Sequence, residues 1–378
     1  MKIYYWSPFT SNVATIKAVI NSAYGLKKFF RFDTYIINSF GEWNSYKREI
    51  KLKKIKLIDN SKKSKILFTQ GYFFSRIAFI RIFFHSFFFL KNILVKKKPE
   101  YLIVHLITSL PLILFLLFKF NTKLVLRISG QPKLNFFRKF IWKMSRQNIH
   151  FVTVPTKETL KNLKKMNIFD PSKIYYLPDP VFINQKINKV LKKKIKNNYQ
   201  YIINVGRLTE QKNQKILIQS FKEISKNYKN LKLLILGKGE KYLELLNLTK
   251  KLNLEHKVNF LGHVSYPYEY IKGSLCVIVT SLWEDPGFVM IESSALKKIV
   301  INSDCPSGPK EFFNKGKTGF LFKNNSMQSL INTFDRFMNS NNSKLKLYIR
   351  KNYLKSLEYS EINHSKIFKK IFKIYEKK

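Results

Sequence analysis

The sequence predicts an α/β protein of two doubly wound parallel sheets in tandem, and three observations carry that prediction. Short apolar runs alternate with longer helical stretches through both halves of the chain. Strands joined by single helices imply right-handed parallel connections within one sheet. At 378 residues the chain is longer than one hydrophobic core ordinarily organises. Between its halves, residues 184–198 are lysine-rich and lack large aromatic anchors, which reads as an interdomain connection. Two such domains bind ligands beyond the carboxyl ends of their strands, in the cleft they face.

In the first half, strands are expected at residues 3–6, 35–38, 101–106, 123–128 and 150–154. A helix over 13–29 follows the first strand, after a loop, Ser7-Pro8-Phe9-Thr10-Ser11-Asn12, that offers capping side chains. Residues 47–65 form a basic run. Residues 71–90, rich in phenylalanine, come next, and Lys96-Lys97-Lys98 closes the segment. Arg76, Arg81 and His85 argue against a membrane-spanning helix there. A core helix accounts for the phenylalanines, and so does an interfacial segment between lysine clusters. The two readings are compatible if one face packs inward and the other meets lipid. Residues 102–118, LIVHLITSLPLILFLLF, are short for a span and interrupted by His105, Thr108, Ser109 and Pro111. A buried strand, a loop and a buried helix fit them better.

The second half repeats the alternation, with strands at 201–205, 231–236, 258–261, 276–280, 299–302 and 319–322. Helices are expected over 214–225 and 240–252, after the strand at 276–280, and from a cap at Ser326. The boundaries that follow are a first domain at 1–183, a second at 184–345 and a helical tail at 346–378.

Seventy lysines and arginines against 23 acidic residues give a net charge of +47. Such a field attracts polyanions, either an anionic bilayer or nucleic acid. Compositional bias is a third reading, because Lys, Asn, Ile and Phe are abundant together. The lysines are spread along both halves, and the sharpest motif is a pair of carboxylates, which counts against nucleic acid. Cys276 and Cys305 are distant in sequence and fit a reduced cytosolic protein. Six scattered histidines offer no metal-ligand spacing, and no metal is expected. Residues 1–6 read as a first strand rather than the start of a signal peptide.

The chemistry concentrates in WEDPGFVMIESSALKKIVINSDCPSGPKE, residues 283–311. Glu284 and Glu292 stand eight positions apart across a loop-to-helix junction. Asp285 is expected to cap the helix, with Pro286 in its first turn. Gly287 and Phe288 open that helix, whose free amides and dipole favour an anion. A second element, Gly206-Arg207-Leu208-Thr209-Glu210-Gln211-Lys212-Asn213, follows the strand at 201–205. Arg207 and Lys212 would neutralise a diphosphate and the charge that develops as it departs. Gly237-Lys238-Gly239 follows the next strand and permits a tight turn with close approach to a base or ribose.

Together these elements resemble the signature of retaining, nucleotide-sugar-dependent glycosyltransferases of the GT-B fold, the GT4-like class. The resemblance rests on Gly206-Arg207-Leu208 with Lys212-Asn213, Glu284 and Glu292, Ser307-Gly308-Pro309 and Glu311, and is specific over residues 201–322. It implies two Rossmann-like domains facing a central cleft, with the C-terminal helix packing back toward the first domain. Glu284, Arg207 and Lys212 would then be catalytic. Gly206, Gly237, Gly239, His263, Val264, Gly287, Phe288 and Glu292 would bind the donor, Glu292 through the ribose hydroxyls. No Asp-x-Asp occurs, so the cations and helix amides would act without a metal, and no cofactor is implied beyond a UDP- or GDP-linked sugar. The acceptor would be a glycan or a polyprenyl-linked saccharide of cell-surface polysaccharide or lipopolysaccharide. Ser11, His105, Arg127 and Ser129 are candidates on the acceptor side. The family's paired glycines are absent from the first loop, and Ser129-Gly130 replace the histidine that often follows Arg-Ile. Retention by attack from the leaving-group face, with a phosphate oxygen assisting deprotonation, is likewise inherited from the resemblance. The expected location is the inner face of the plasma membrane, as a peripheral cytoplasmic protein on anionic lipid. The alternative is a basic nucleic-acid- or membrane-surface-binding protein without transferase activity.

Overall fold

The computed structural model describes residues 1–10, 13–60, 72–130, 132, 135–196 and 198–376, the side chains of 72–79 and 375–376 excepted. The chain forms two compact units, Met1–Pro180 with Glu361–Lys378, and Val181–Ser360.

The first unit runs β1 (Lys2–Trp6), α1 (Ala14–Phe30), β2 (Asp33–Asn38), α2 (Lys47–Leu52), β3 (Lys56–Asp59) and α3 (Tyr72–Lys97). It continues β4 (Tyr101–Val104), α4 (Ser109–Leu117), β5 (Lys123–Arg127), α5 (Phe136–Met144), β6 (Ile149–Val154), α6 (Lys157–Lys165) and β7 (Ile174–Tyr176). Its seven strands are parallel in the order β3-β2-β1-β4-β5-β6-β7. The order reverses between β1 and β4, so the loops after those two strands splay apart and leave a crevice. Two strands escaped the sequence reading. β3 lies inside the basic run, and β7 has only three residues; both are sheet edges, where hydrophobic patterning is weakest. The apolar run at 102–118 forms β4, a loop and α4, as expected. In α3, Ile82, Leu90, Ile93 and Leu94 are buried while Ile80, Phe84 and Phe88 are exposed. The helix therefore has one buried and one exposed face among its described side chains; residue 71 and the side chains of 72–79, Arg76 included, lie outside them. Among the described residues no helix is long and apolar enough to cross a membrane.

The second unit runs α7 (Asn184–Lys192), β8 (Tyr201–Val205), α8 (Gln214–Asn227), β9 (Lys232–Leu236), α9 (Tyr242–Lys251), β10 (Val258–Gly262) and α10 (Tyr268–Gly273). There follow β11 (Val277–Val279), α11 (Phe288–Ala295), β12 (Val300–Ser303), α12 (Pro309–Phe312), β13 (Phe320–Phe322), α13 (Met327–Met338) and α14 (Asn342–Ser356). Its six strands are parallel in the order β10-β9-β8-β11-β12-β13, reversing between β8 and β11. The stretch read as a connection is partly α7. Ile187 and Val190, one turn apart, are buried on one face, and Lys272 Nζ donates to the Val190 and Leu191 carbonyls at its end. Ser326 caps α13 by accepting from the Ser329 amide.

The expected tail is two helices with different partners. α14 belongs to the second unit, whereas α15 (Glu361–Glu376) belongs to the first. Gly25 in α1 makes the return possible, because a Cβ there would stand 2.2 Å from Ser365 Oγ and 2.9 Å from the Glu361 carbonyl. A mid-helix glycine costs about 1 kcal/mol relative to alanine. Here it lets α15 seat Phe368, Ile371 and Phe372 against the first unit's core.

Candidate active site

In the second unit the loops after β8 and β11 meet at the reversal of strand order. Lys212 Nζ pairs with the Glu284 carboxylate, and both side chains are largely buried. Ser281 Oγ donates to the same Glu284 oxygen at 2.6 Å. Backbone stitches hold the two loops in register: Leu282 N–H to the Gln211 carbonyl at 2.8 Å, and Thr280 Oγ1 to the Lys212 carbonyl at 2.9 Å. Arg207 is exposed at the rim, where its Nη2 donates to Gln211 Oε1 at 3.3 Å. Gln211 Nε2 donates in turn to the Trp283 carbonyl at 2.9 Å. Two cations and one carboxylate are thus presented together beside the start of α11.

Asp285 does not cap that helix. α11 begins at Phe288 with Gly287 at φ 94° before it, and the Asp285 carboxylate instead accepts from Ser307 Oγ at 3.3 Å. The Asp285-Pro286-Gly287 turn packs backbone to backbone against the Ser307-Gly308-Pro309 turn. Glu284 N–H donates to the Pro306 carbonyl and Ser307 N–H to the Glu284 carbonyl, both at 2.8 Å. Gly308, at φ 95°, leaves no room for a Cβ, which would lie 2.6 Å from the Pro286 carbonyl oxygen. The helix amides at Phe288 are therefore set by this turn-on-turn contact, and they carry the positive end of the helix dipole. Glu292, buried on α11, accepts from Tyr268 Oη at 3.0 Å.

The glycines after β9 have a close neighbour within the chain itself. A Cβ on Gly237 would stand 1.7 Å from the Gly206 carbonyl oxygen, and one on Gly239 would stand 2.2 Å from that of Leu208. Their close approach is to the Gly206–Leu208 backbone, which they hold in place: Leu208 N–H donates to the Lys238 carbonyl at 3.0 Å. His263 is exposed after β10 and Val264 half-buried. Cys305 is buried near Glu284 and Lys212, and burial pushes its thiol up to about 12.

In the first unit, Arg127 and His105 are buried instead of facing solvent. Arg127 Nη2 lies 2.5 Å from Asp179 Oδ1. His364 of α15 bonds Ser22 Oγ at 2.8 Å and the Pro178 carbonyl at 2.7 Å, and Ser22 bonds Tyr5 Oη at 2.8 Å. Burial, with the Arg127 charge adding to it, holds His105 well below the usual imidazole range and His364 at about 3. Ser129 is exposed after β5, and Ser11 lies outside the described residues.

Gln211, Ser281, Asp179 and His364 were missed by sequence reasoning. Each acts through a partner 50 to 190 positions away except Ser281, whose hydroxyl three residues before Glu284 was a readable signal. Among the described residues, no group of three or more His, Cys, Asp or Glu side chains is placed to hold a metal.

Residues 185–355 match the family described as Glycosyl transferases group 1. The chain is 34% identical over 246 residues to an uncharacterized glycosyltransferase of Methanocaldococcus jannaschii, covering 58% of this chain and 59% of that protein. It is 29% identical over 218 residues to the N-acetylgalactosamine-N,N'-diacetylbacillosaminyl-diphospho-undecaprenol 4-alpha-N-acetylgalactosaminyltransferase of Campylobacter jejuni, covering 56% and 59%. The matched stretch thus spans about three fifths of each of these relatives. The crystal structure of Anabaena HepE in complex with UDP and glucose is similar at a TM-score of 0.75, with 15% identity over 99% of both chains. The fold is GT-B, two Rossmann-like domains.

Proposed function

We propose that the chain is a glycosyltransferase that moves a sugar from a nucleoside diphosphate donor to a glycan or lipid-linked acceptor, in the assembly of a cell-surface polysaccharide. The observation that carries this reading is the Lys212–Glu284 pair beside Arg207 and the start of α11, within the residues that match group 1. Relatives whose names specify a diphospho-undecaprenol-linked substrate or a capsular polysaccharide support the acceptor class. The structure of HepE with UDP supports a uridine donor.

In this reading Arg207, Lys212 and the Phe288 amide receive the donor diphosphate, and Glu292 accepts from the ribose hydroxyls. Glu284, oriented by Ser281 and Lys212, accepts from hydroxyls of the transferred sugar. As the bond from the anomeric carbon to the diphosphate oxygen breaks, negative charge grows on that oxygen. Lys212 and Arg207 are already in position to stabilise it. The acceptor hydroxyl attacks from the same face and its proton passes to the leaving phosphate, so the anomeric configuration is retained. The two cations supply the charge that a metal supplies elsewhere. The protein works at an anionic membrane surface, consistent with its charge and the exposed aromatics of α3 and α5.

The test is thermal stability with UDP, GDP, ADP or CMP, each with and without EDTA. A ligand that binds only the folded state raises the melting temperature with the logarithm of its concentration. Stabilisation by one nucleoside diphosphate, unchanged by EDTA and lost in Arg207→Ala, is the expected result. No shift with any nucleotide would overturn the reading.

A further inference from the structure

A cavity of the first unit lies where its own strand order reverses, between the loops after β1 and β4. Its volume is about 370 Å³. Phe9, Leu106, Ile107, Phe137, Ile141 and Trp142 make its walls mainly apolar, and Arg138 is the one charged residue among the described lining. Trp142 is fixed as a wall by its Nε1 donating to Thr108 Oγ1 at 3.3 Å, and Asn135 caps α5 by accepting from the Arg138 amide at 2.9 Å. Leu106 at the rim is held at φ 59°, a left-handed conformation that a leucine side chain disfavours and that marks functional loops.

The helix that lines this cavity is itself unusual. α5 buries only Ile141 and Trp142, while Phe136, Phe137, Phe140 and Met144 are exposed, Phe136 by 88%. Arg138, Lys139 and Lys143 are exposed among them. From residue 101 to residue 157 the sequence has nine lysines and arginines and no aspartate or glutamate. Apolar side chains interleaved with cations, in a stretch of sequence with no acidic residue, fit an anionic bilayer. The cavity opens beside that helix, so an apolar chain leaving the bilayer meets apolar walls, and a phosphate attached to it meets Arg138.

We infer that this cavity takes the lipid end of a saccharide acceptor, an isoprenoid-like chain joined through phosphate to the sugar whose hydroxyl attacks, with Phe137 contacting the chain and Arg138 the phosphate. The inference rests on the glycosyltransferase reading for the identity of the occupant as acceptor. It adds the chemical class and the residues that select it. Free polysaccharide, with neither apolar chain nor phosphate, is a poor match for these walls.

The experiment titrates the purified full chain with farnesyl phosphate, farnesol and inorganic phosphate, reading tryptophan fluorescence. Farnesyl phosphate is expected to bind saturably and inorganic phosphate not to bind. Arg138→Gln should weaken farnesyl phosphate roughly tenfold or more while leaving farnesol unchanged, since it removes a charge-assisted contact. Phe137→Ala should weaken both. Phe136→Ala, on the exposed face outside the cavity, should leave all three unchanged yet reduce binding to vesicles containing phosphatidylglycerol. These side chains are exposed, so the variants retain the fold. Absence of saturable farnesyl phosphate binding, or equal affinity in Arg138→Gln and Phe137→Ala, would overturn the inference. UDP stabilisation measured on the same samples separates the two readings. UDP binding without farnesyl phosphate binding sinks the inference alone. Farnesyl phosphate binding without any nucleotide binding sinks glycosyl transfer and leaves a lipid-phosphate site.

Discussion

Lys212 and Glu284, 72 positions apart, close an ion pair across the two loops that flank the strand-order reversal of the second sheet. Neither side chain has another opposite charge among its described ion pairs, so each fixes the other. Ser281 adds a hydroxyl on the same oxygen and prevents the carboxylate from rotating freely. The pair therefore presets a cation and a carboxylate on one surface before any ligand arrives, which is what electrostatic preorganisation requires.

Lys212→Ala leaves the Glu284 carboxylate largely buried, with the Ser281 hydroxyl as its described partner. We expect transfer to fall by roughly a hundredfold or more, and stability by about 1–3 kcal/mol. Initial-rate assays and urea titration check the two effects separately. Unchanged turnover would remove Lys212 from the catalytic step.

Tyr268→Phe removes one donor from the buried Glu292 carboxylate and changes little volume. Nucleotide affinity should weaken several-fold, whereas Glu292→Ala should abolish it. Isothermal titration with UDP compares the two. An affinity in Tyr268→Phe equal to wild type would mean that Tyr268 does not orient the carboxylate.

Gly308→Ala forces a Cβ to 2.6 Å from the Pro286 carbonyl at a backbone φ of 95°. The two turns must separate, moving Gly287 and the first amide of α11. The expected outcome is a loss of about 2 kcal/mol or more in stability, with nucleotide binding lost at temperatures where the fold persists. Gly316→Ala, at φ 84° but with its nearest neighbour 3.8 Å away, serves as the comparison and should retain binding.

His364 sits neutral in the first unit, its imidazole lowered from about 6.5 to about 3 by burial. Its neutral form is the folded form, so its contribution is complete above pH 6.5. That contribution is lost as acid protonates the unfolded chain first, down to pH about 3. At pH 5 the loss from His364 is about 2 kcal/mol, and His105 shifts in the same direction. Melting temperature should therefore drop between neutral pH and pH 5. In His364→Gln the starting value should be lower and the drop smaller. A variant with the same acid slope as wild type would show that another group governs it.

The central strands and the helices between them were legible because burial imposes a short period on the sequence, and the glutamate pair because, with Ser307-Gly308-Pro309 and Glu311, it resembles a family signature. Residues 201–205 read as a strand and form one, since a parallel strand covered on both faces is continuously apolar. β3 and β7 were not legible, because an edge strand is covered on fewer sides and carries less of that signal. Asp285 looked like a helix cap from composition alone. Its actual bond to Ser307 depends on a turn 22 positions away.

By itself the sequence determined the two α/β units, the strand ends at which chemistry could sit and the residue types delivered there. These follow from local periodicity and from short stretches such as residues 206–213. Only the tertiary structure decided that the loops after β8 and β11 adjoin, that Gly237 and Gly239 brace Gly206 and Leu208, and that Arg127 pairs with Asp179 through Nη2. It also decided that α15 returns to the first unit, through the gap left by Gly25. Each of these is a contact between segments far apart in sequence, set by strand order and close packing, and no local window of the chain encodes it.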